Sequence, residues 1–410
     1  MFIRLFRYLL LATFFATSSI ASDISLNDLI ESRGKDLASG QIIELMNGEK
    51  VEFIKILGAG NTTTIHEVKS GNNIYALRVP KYHGAFNTFS KYSNYIDAFY
   101  LGHASLESQG VSIPEIYAYE KENYLLVEKL NLKDSFDLDA FFLNKEAINP
   151  EDFAKALDKL PDFFESIAAY TLVKDFHLGQ LVYSPQDGRW ILMDWTHSHE
   201  LFKDGQDKLP FTVDSVKIQA EKYEKTFKLT EEFKDLFKRI ESRMQNKRNT
   251  ILDNDKLFLE SLSSLSTEEF MGAIQNPPKG YSNNLTLGII DRLSLMNVPN
   301  ELPEYLIANH GDFKYLLEKF LERTDSIDDL VTLLNLKDSL GMKIDWNLEM
   351  KIQKIITNSD SNTPINLYRK LLNHNFVTSY AKAWIKRERL DIETSNNCVD
   401  VLRQLVSNPL

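Results

Sequence analysis

Cysteine is almost absent. A single one, Cys398, excludes an internal disulfide and any multi-cysteine metal site. Glycine (17) and proline (12) are sparse in 410 residues, which excludes collagen-like and low-complexity fibres, and 43% hydrophobic residues against 26% charged excludes a disordered chain. Positive charge is in deficit, 47 Lys and Arg against 58 Asp and Glu, for a net charge of -11. Such a chain has no general electrostatic grip on a nucleic-acid backbone, although a local basic pocket can still hold one small anion. Neither a Gly-x-Ser-x-Gly elbow nor a His-Glu-x-x-His pair occurs, which removes the commonest hydrolase and metallopeptidase readings. His197 and His199 have no nearby acids that complete a zinc pattern.

The one apolar segment that stands out is N-terminal. Arg4 and Arg7 precede the run Tyr8 to Ala16, and small residues follow to Ser19-Ile20-Ala21. This is the order of a secretory signal, and the run is short for a span of about 20 apolar residues. The pattern predicts a cleaved signal over 1–21, export to a periplasm or the exterior, and no stable membrane span afterwards.

From Gln41 to Lys129 short runs rich in Ile, Val, Leu and Tyr alternate with turn signals, Asn47-Gly48 and Ser70-Gly71-Asn72-Asn73. They predict antiparallel strands at Glu52–Leu57, Thr63–Val68 and Ile74–Val79. A helix over Lys91–Gln109, closed by Gly110, and strands at Ile113–Tyr119 and Tyr124–Lys129 follow. The result is a sheet of about five strands with one helix after the third. Beyond Asn149-Pro150 the chain turns helical, passes through short strands up to Asp194, and continues in helices over Ser215–Phe227 and Thr230–Gln245. From about Leu252 the remainder reads as all helical. The division this suggests is 22–250 for one domain and 251–410 for a helical one.

Two clusters carry chemistry. Leu57-Gly58-Ala59-Gly60-Asn61-Thr62-Thr63-Thr64 joins two predicted strands, where small residues serve a tight turn or let backbone amides approach a phosphate. Arg78 on the third strand offers a fixed cation, and Asp97 on the helix an anionic partner. The second cluster is Lys174-Asp175-Phe176-His177-Leu178-Gly179-Gln180, followed by a strand, a turn at Ser184 to Gly188, and Trp190-Ile191-Leu192-Met193-Asp194-Trp195. Phosphoryl transfer needs a carboxylate to orient the attacking hydroxyl, a carboxylate and an amide oxygen for Mg2+, and a cation on the phosphates. All four types are present in a workable order. His177, Trp190 and Trp195 read first as structural groups.

On these motifs the chain resembles the protein-kinase-like superfamily, including its aminoglycoside-phosphotransferase-like members. The likeness runs over roughly Gln41 to Trp195: a Gly-x-Gly loop, an Ala-x-basic motif, an Asp-Phe-His-Leu-Gly-Gln segment in place of Asp-x-His-x-x-Asn, and Asp-Trp in place of Asp-Phe-Gly. It implies an α+β fold of two lobes, an antiparallel N-lobe and a mostly helical C-lobe, with ATP and Mg2+ (or Mn2+) as cofactors. Glu128, Lys129 and Leu130 would then contact adenine, Gly58 and Gly60 cover the phosphates, and Arg78 with Asp97 replace the family's Lys–Glu pair. Asp175 would be the catalytic base and Gln180 with Asp194 the metal ligands. The acceptor, a protein or a small molecule, is not legible.

The sequence also departs from the family. Arg78 is a planar fork where a compact ammonium is usual, Gln180 adds a methylene, Val173 replaces a histidine, and no Ala-Pro-Glu-like segment follows Asp194. Two functions therefore stand side by side. One is an exported ATP-dependent phosphotransferase, and the other a catalytically inactive pseudokinase that binds partners through its helical C-terminal region.

Overall fold

The computed structural model describes residues 23–32, 37–81, 89–195, 199–297, 299, 301–308, 310–324, 326–338, 346–359, 364–372, 377 and 379–390. The predicted signal segment, His197 and Cys398 lie outside them. The chain divides into two compact units, residues 1–100 with 114–132, and residues 101–113 with 133–410.

The first unit is built on a seven-stranded sheet. Its elements are β1 (Ile24–Ser25), α1 (Leu26–Ser32), β2 (Ile42–Glu44), β3 (Lys50–Ala59), β4 (Thr63–Ser70), β5 (Asn73–Pro80), the first part of α2 (Phe89–Ser108), β6 (Ile116–Glu120) and β7 (Tyr124–Glu128). The strand order is β1-β2-β3-β4-β5-β7-β6. The three central predicted strands, the helix after them and the last two strands are all present. Both predicted turns are as well, with Gly48 and Gly71 in the left-handed region at φ +81° and +59°. Not foreseen were β1 and α1. Together they close one sheet face, where Leu26, Leu29 and Ile30 pack with Ile43, Val51, Phe53, Val68, Leu77, Val79 and Leu126. His66 is buried among them, its Nε2 3.1 Å from Thr64 Oγ1.

The second unit opens with β8 (Phe136–Asp137), α3 (Leu138–Leu143) and α4 (Pro150–Ser166), then β9 (Tyr170–Leu172), β10 (Leu181–Ser184), β11 (Arg189–Leu192) and β12 (Glu200–Leu201). Strands pair as β11-β10-β8 and as β12-β9. Asn149 caps α4 by accepting from the N–H groups of Glu151 and Asp152, with Pro150 at the first turn, where its missing N–H costs nothing. Helix α4 runs on through Pro161 to Ser166. Phe141, Phe142, Phe164, Phe211, Phe233 and Phe237 form an aromatic core with Trp190, whose ring N–H donates to the Ala156 carbonyl.

Helices α5 (Val213–Lys222) and α6 (Glu231–Leu262) follow. Helix α5 ends five residues before the expected Phe227, just ahead of Glu224 in the left-handed region at φ +53°. Helix α6 goes the other way, continuing beyond the expected Gln245 and through position 250/251. No glycine or proline interrupts it, and Ile251, Asp255 and Leu262 extend the buried stripe of Leu236, Phe237, Ile240, Met244 and Arg248. The remaining described elements are helical, among them α7 (Thr267–Ala273) and α8 (Asn283–Leu293). In the helix His310–Arg323 the apolar residues Phe313, Leu316, Leu317, Phe320 and Leu321 are buried. Among the described residues no helix is long and apolar enough to cross a membrane.

Candidate functional site

In the first unit, β3 and β4 meet in a hairpin closed by the Gly60 N–H donating to the Thr63 carbonyl (2.9 Å). Gly58 lies opposite Ile65, and Ile65 and Leu125 flank Arg78 on the neighbouring strands. Directly opposed residues share a sheet face, so Gly58, Ile65, Arg78 and Leu125 form one row, with Gly58 and Arg78 roughly 10 Å apart. Neither Gly58 nor Gly60 adopts positive φ. A Cβ at Gly58 would meet nothing within 4 Å, and one at Gly60 only the Thr63 carbonyl at 3.7 Å. The turn itself requires glycine at neither place. The physical use left for a missing side chain is close approach of another molecule to the backbone.

Arg78 is buried, with its guanidinium 4.1 Å over the Phe99 ring. Asp97 is buried too, but it serves a different contact. Its carboxylate accepts from the Tyr119 hydroxyl (2.8 Å) and from the Glu122 N–H (2.8 Å). Burial raises its pKa, against the lowering effect of those two bonds and of Lys121. The expected Arg78–Asp97 pair is not among the ion pairs of the described residues. The short aspartate side chain instead fastens α2 to the β6–β7 turn, where Glu122 sits in the left-handed region at φ +62°. At the end of β7 the Glu128 N–H donates to the Glu115 carbonyl, Leu130 is buried, and the Lys129 ammonium donates to the Leu130 carbonyl (2.8 Å).

In the second unit, β10 and β11 pair from Leu181↔Leu192 to Ser184↔Arg189. The Met193 N–H donates to the Gln180 carbonyl (2.8 Å), extending the ladder by a rung, so Gln180 and Asp194 arrive at the same end of the hairpin. Gln180 is 8% exposed, and its Oε1 is a buried acceptor with no hydrogen-bond partner among the described residues. Asp194 is half-buried, its Oδ1 accepting from the Trp195 N–H (3.1 Å). Asp175 is exposed in the turn between β9 and this hairpin, and its backbone is left-handed at φ +63°. Such a conformation is uncommon for a residue with a Cβ, although aspartate tolerates it better than most. His177 packs over Gly179, where a Cβ would come within 3.5 Å of its ring. The buried His199 accepts at Nδ1 from the Lys174 N–H (3.2 Å), steadying the turn from the other side.

One residue that the sequence did not mark holds this region in place. Arg248 on α6 is 1% exposed and donates to four carbonyls, those of Ala168 (2.7 Å), Tyr170 (2.7 Å), Gln206 (3.1 Å) and Lys208 (2.9 Å). Two of the four flank the start of β9, the strand that leads to Asp175.

A sheet whose third central strand is followed by a helix, two more strands, a helical unit and a short hairpin ending in Asp194 is the predicted element order. It is the order that the sequence's resemblance to the protein-kinase-like superfamily implies. Among solved structures the chain is similar to the Rio2 kinase from Chaetomium thermophilum, crystallised in an ADP/Mg2+-phosphoaspartate complex (14% identity, covering 61% of this chain and 75% of that one, TM-score 0.29). It is also similar to CtkA, a proinflammatory kinase of Helicobacter pylori (12% identity, 70% of this chain and 95% of that one, TM-score 0.27). No family model and no curated protein matches it.

Proposed function

We propose that the chain is an exported kinase-like protein that binds ATP with Mg2+ or Mn2+ and transfers a phosphoryl group to a protein or small-molecule acceptor. The observation that carries this is the orphaned amide oxygen of Gln180 beside Asp194. A buried acceptor left unbonded costs about 1–3 kcal/mol, and such groups call for an explanation. A hard divalent cation is one, since it takes oxygen ligands from an amide and a carboxylate together. Gln180 and Asp194 would hold it, and bound there it supplies positive charge against the phosphate oxygens. Asp175 would accept the proton of the attacking hydroxyl and fix its direction. Its strained backbone, worth of order 1–3 kcal/mol, suits a side chain whose aim matters more than its stability. On the sheet unit Gly58 and Gly60 would admit the phosphates to the backbone, Arg78 would add fixed charge, and Glu128 to Leu130 would meet the base.

A second reading, a binding module without transfer, is favoured by Asp97, which is bonded to Tyr119 and Glu122 where an active member would pair it with Arg78. Thermal denaturation with millimolar ATP and Mg2+ separates the cases, because a ligand of the folded state must raise its stability. Expected are a higher melting temperature for the wild type, loss of the metal-dependent part in Asp194→Ala, and retained binding without phosphate transfer in Asp175→Ala. No shift for the wild type would end the nucleotide reading. A shift with no transfer to any acceptor would support the binding module.

A further inference from the structure

The second unit holds a cavity of about 440 Å³, a volume ordinary for a small-molecule site. Its walls come from the last turn of α2 and the segment after it, from α4, from β11, and from the loop between α7 and α8. It meets β11 at Arg189 and Trp190, the turn end of the hairpin, opposite the end where Gln180 and Asp194 lie. Ile113, Phe163 and Trp190, all buried, give it apolar surface. Lys159, Arg189 and Lys279 line the same space, each from a different wall. In a chain of net charge -11, three cations around one cavity run against the average. The two acids that share the cavity are already engaged. Asp162 is held by the Arg243 guanidinium (2.6 Å) and lies 3.6 Å from Lys159, and Glu107 lies 3.7 Å from His103. Arg189 donates to the Ser112 hydroxyl (3.2 Å), a neutral acceptor, and Lys279 has no carboxylate partner among the described residues. Lys247 adds a further cation nearby, its Cε 3.6 Å from where a Cβ on Gly280 would stand, next to Lys279.

We infer that this cavity binds a small organic anion, its apolar body against Ile113, Phe163 and Trp190 and its charged group among Lys159, Arg189 and Lys279. Cations of one sign over low-dielectric walls focus their field on a bound charge, and the planar fork of Arg189 matches an oxyanion. An inorganic anion would leave the apolar wall unused, and a neutral ligand would leave the cations unused. The inference does not depend on nucleotide binding.

The test uses the full chain without nucleotide and two fluorescent probes of the same ring system, anilinonaphthalene sulfonate and the neutral phenylnaphthylamine. Each is titrated against wild type, Arg189→Gln, Lys279→Glu and Lys256→Glu. All three substituted side chains are exposed, so folding is not at stake. Lys256, on α6, changes the net charge as Lys279 does but does not line the cavity. Saturable binding of the sulfonate is expected for wild type, about tenfold weaker in Arg189→Gln and in Lys279→Glu, and within about twofold in Lys256→Glu. The neutral probe should bind about tenfold more weakly than the sulfonate and be indifferent to all three substitutions. Equal weakening in Lys279→Glu and Lys256→Glu would reveal an effect of overall charge and overturn the site. So would unchanged binding in Arg189→Gln and Lys279→Glu, a neutral probe bound as tightly as the sulfonate, or no binding to wild type.

Discussion

Replacing Arg248 by methionine keeps most of the side-chain volume and removes the guanidinium. Burial lowers the pKa of that group to about 10, so it stays charged at neutral pH while costing about 3 kcal/mol to hold out of water, at about 1.4 kcal/mol for each pH unit. Against this stand four charge-assisted hydrogen bonds, each worth about 1.5–3 kcal/mol. In Arg248→Met the cost and the gain both vanish, but the carbonyls of Ala168 and Tyr170, whose bonds are fully buried, are left facing a thioether. At about 1–3 kcal/mol for each of the two orphaned acceptors, the expected loss is about 2–6 kcal/mol. Arg248→Lys should recover little, because one ammonium cannot span carbonyls that a planar fork reaches from both sides. All four tryptophans, Trp190, Trp195, Trp346 and Trp384, lie in the second unit, so urea unfolding followed by tryptophan fluorescence reads that unit alone. A loss below about 1 kcal/mol in Arg248→Met would refute the reasoning, since it would mean that the four bonds merely balance desolvation.

Two pH effects of opposite sign should also be measurable. Asp255 on α6 accepts from the N–H and hydroxyl of Ser282, yet burial raises its pKa from 3.8 to about 6. A raised carboxyl favours the folded state below the unfolded pKa and loses that advantage as pH rises through about 6. Asp255→Asn should therefore stabilise the second unit by about 1–3 kcal/mol at pH 7.5 and by little at pH 4, in the same fluorescence assay. A uniform effect at both pH values would reject the titration. His66 behaves in reverse. Burial lowers its pKa from 6.5 to about 4, so its contribution is present above pH 6.5 and is lost as pH falls through about 4. Amide exchange in β4 and β5 should quicken over that window in wild type, by up to about 3 kcal/mol of opening free energy, and stay flat in His66→Gln. Parallel behaviour of the two proteins would count against the imidazole as the cause.

What the sequence disclosed was local. Alternating apolar residues and Asn-Gly or Ser-Gly-Asn-Asn turns gave β3 to β5 within a few residues, because register there is set by a pattern of period two and by turn chemistry. The same reasoning put Gln180 just before the first strand of one short hairpin and Asp194 just after the second, which brings both to its open end. Contacts that join distant residues had no such signature. Arg248 stands among charged residues in an amphipathic helix, and nothing adjacent shows that it faces carbonyls 40 to 80 positions away. Asp97 was assigned to the nearest cation by type, whereas its partners lie 22 and 25 positions on, at a turn whose geometry only folding reveals. The helix α1 was passed over because seven residues with three apolar positions are too short for periodicity to show.

Helix α6, finally, is mechanically a single beam. Its 32 residues extend about 48 Å at 1.5 Å each, with α4 packed on it and then α8. Sharp kinks in an α-helix come mostly from proline, glycine or a break in its ladder, and neither proline nor glycine occurs in this one. Helix α8 is therefore carried on the same continuous element that bears Arg248. Severing the protein at residue 250 would saw through the beam within two residues of Arg248, whose guanidinium holds the carbonyls at the start of β9.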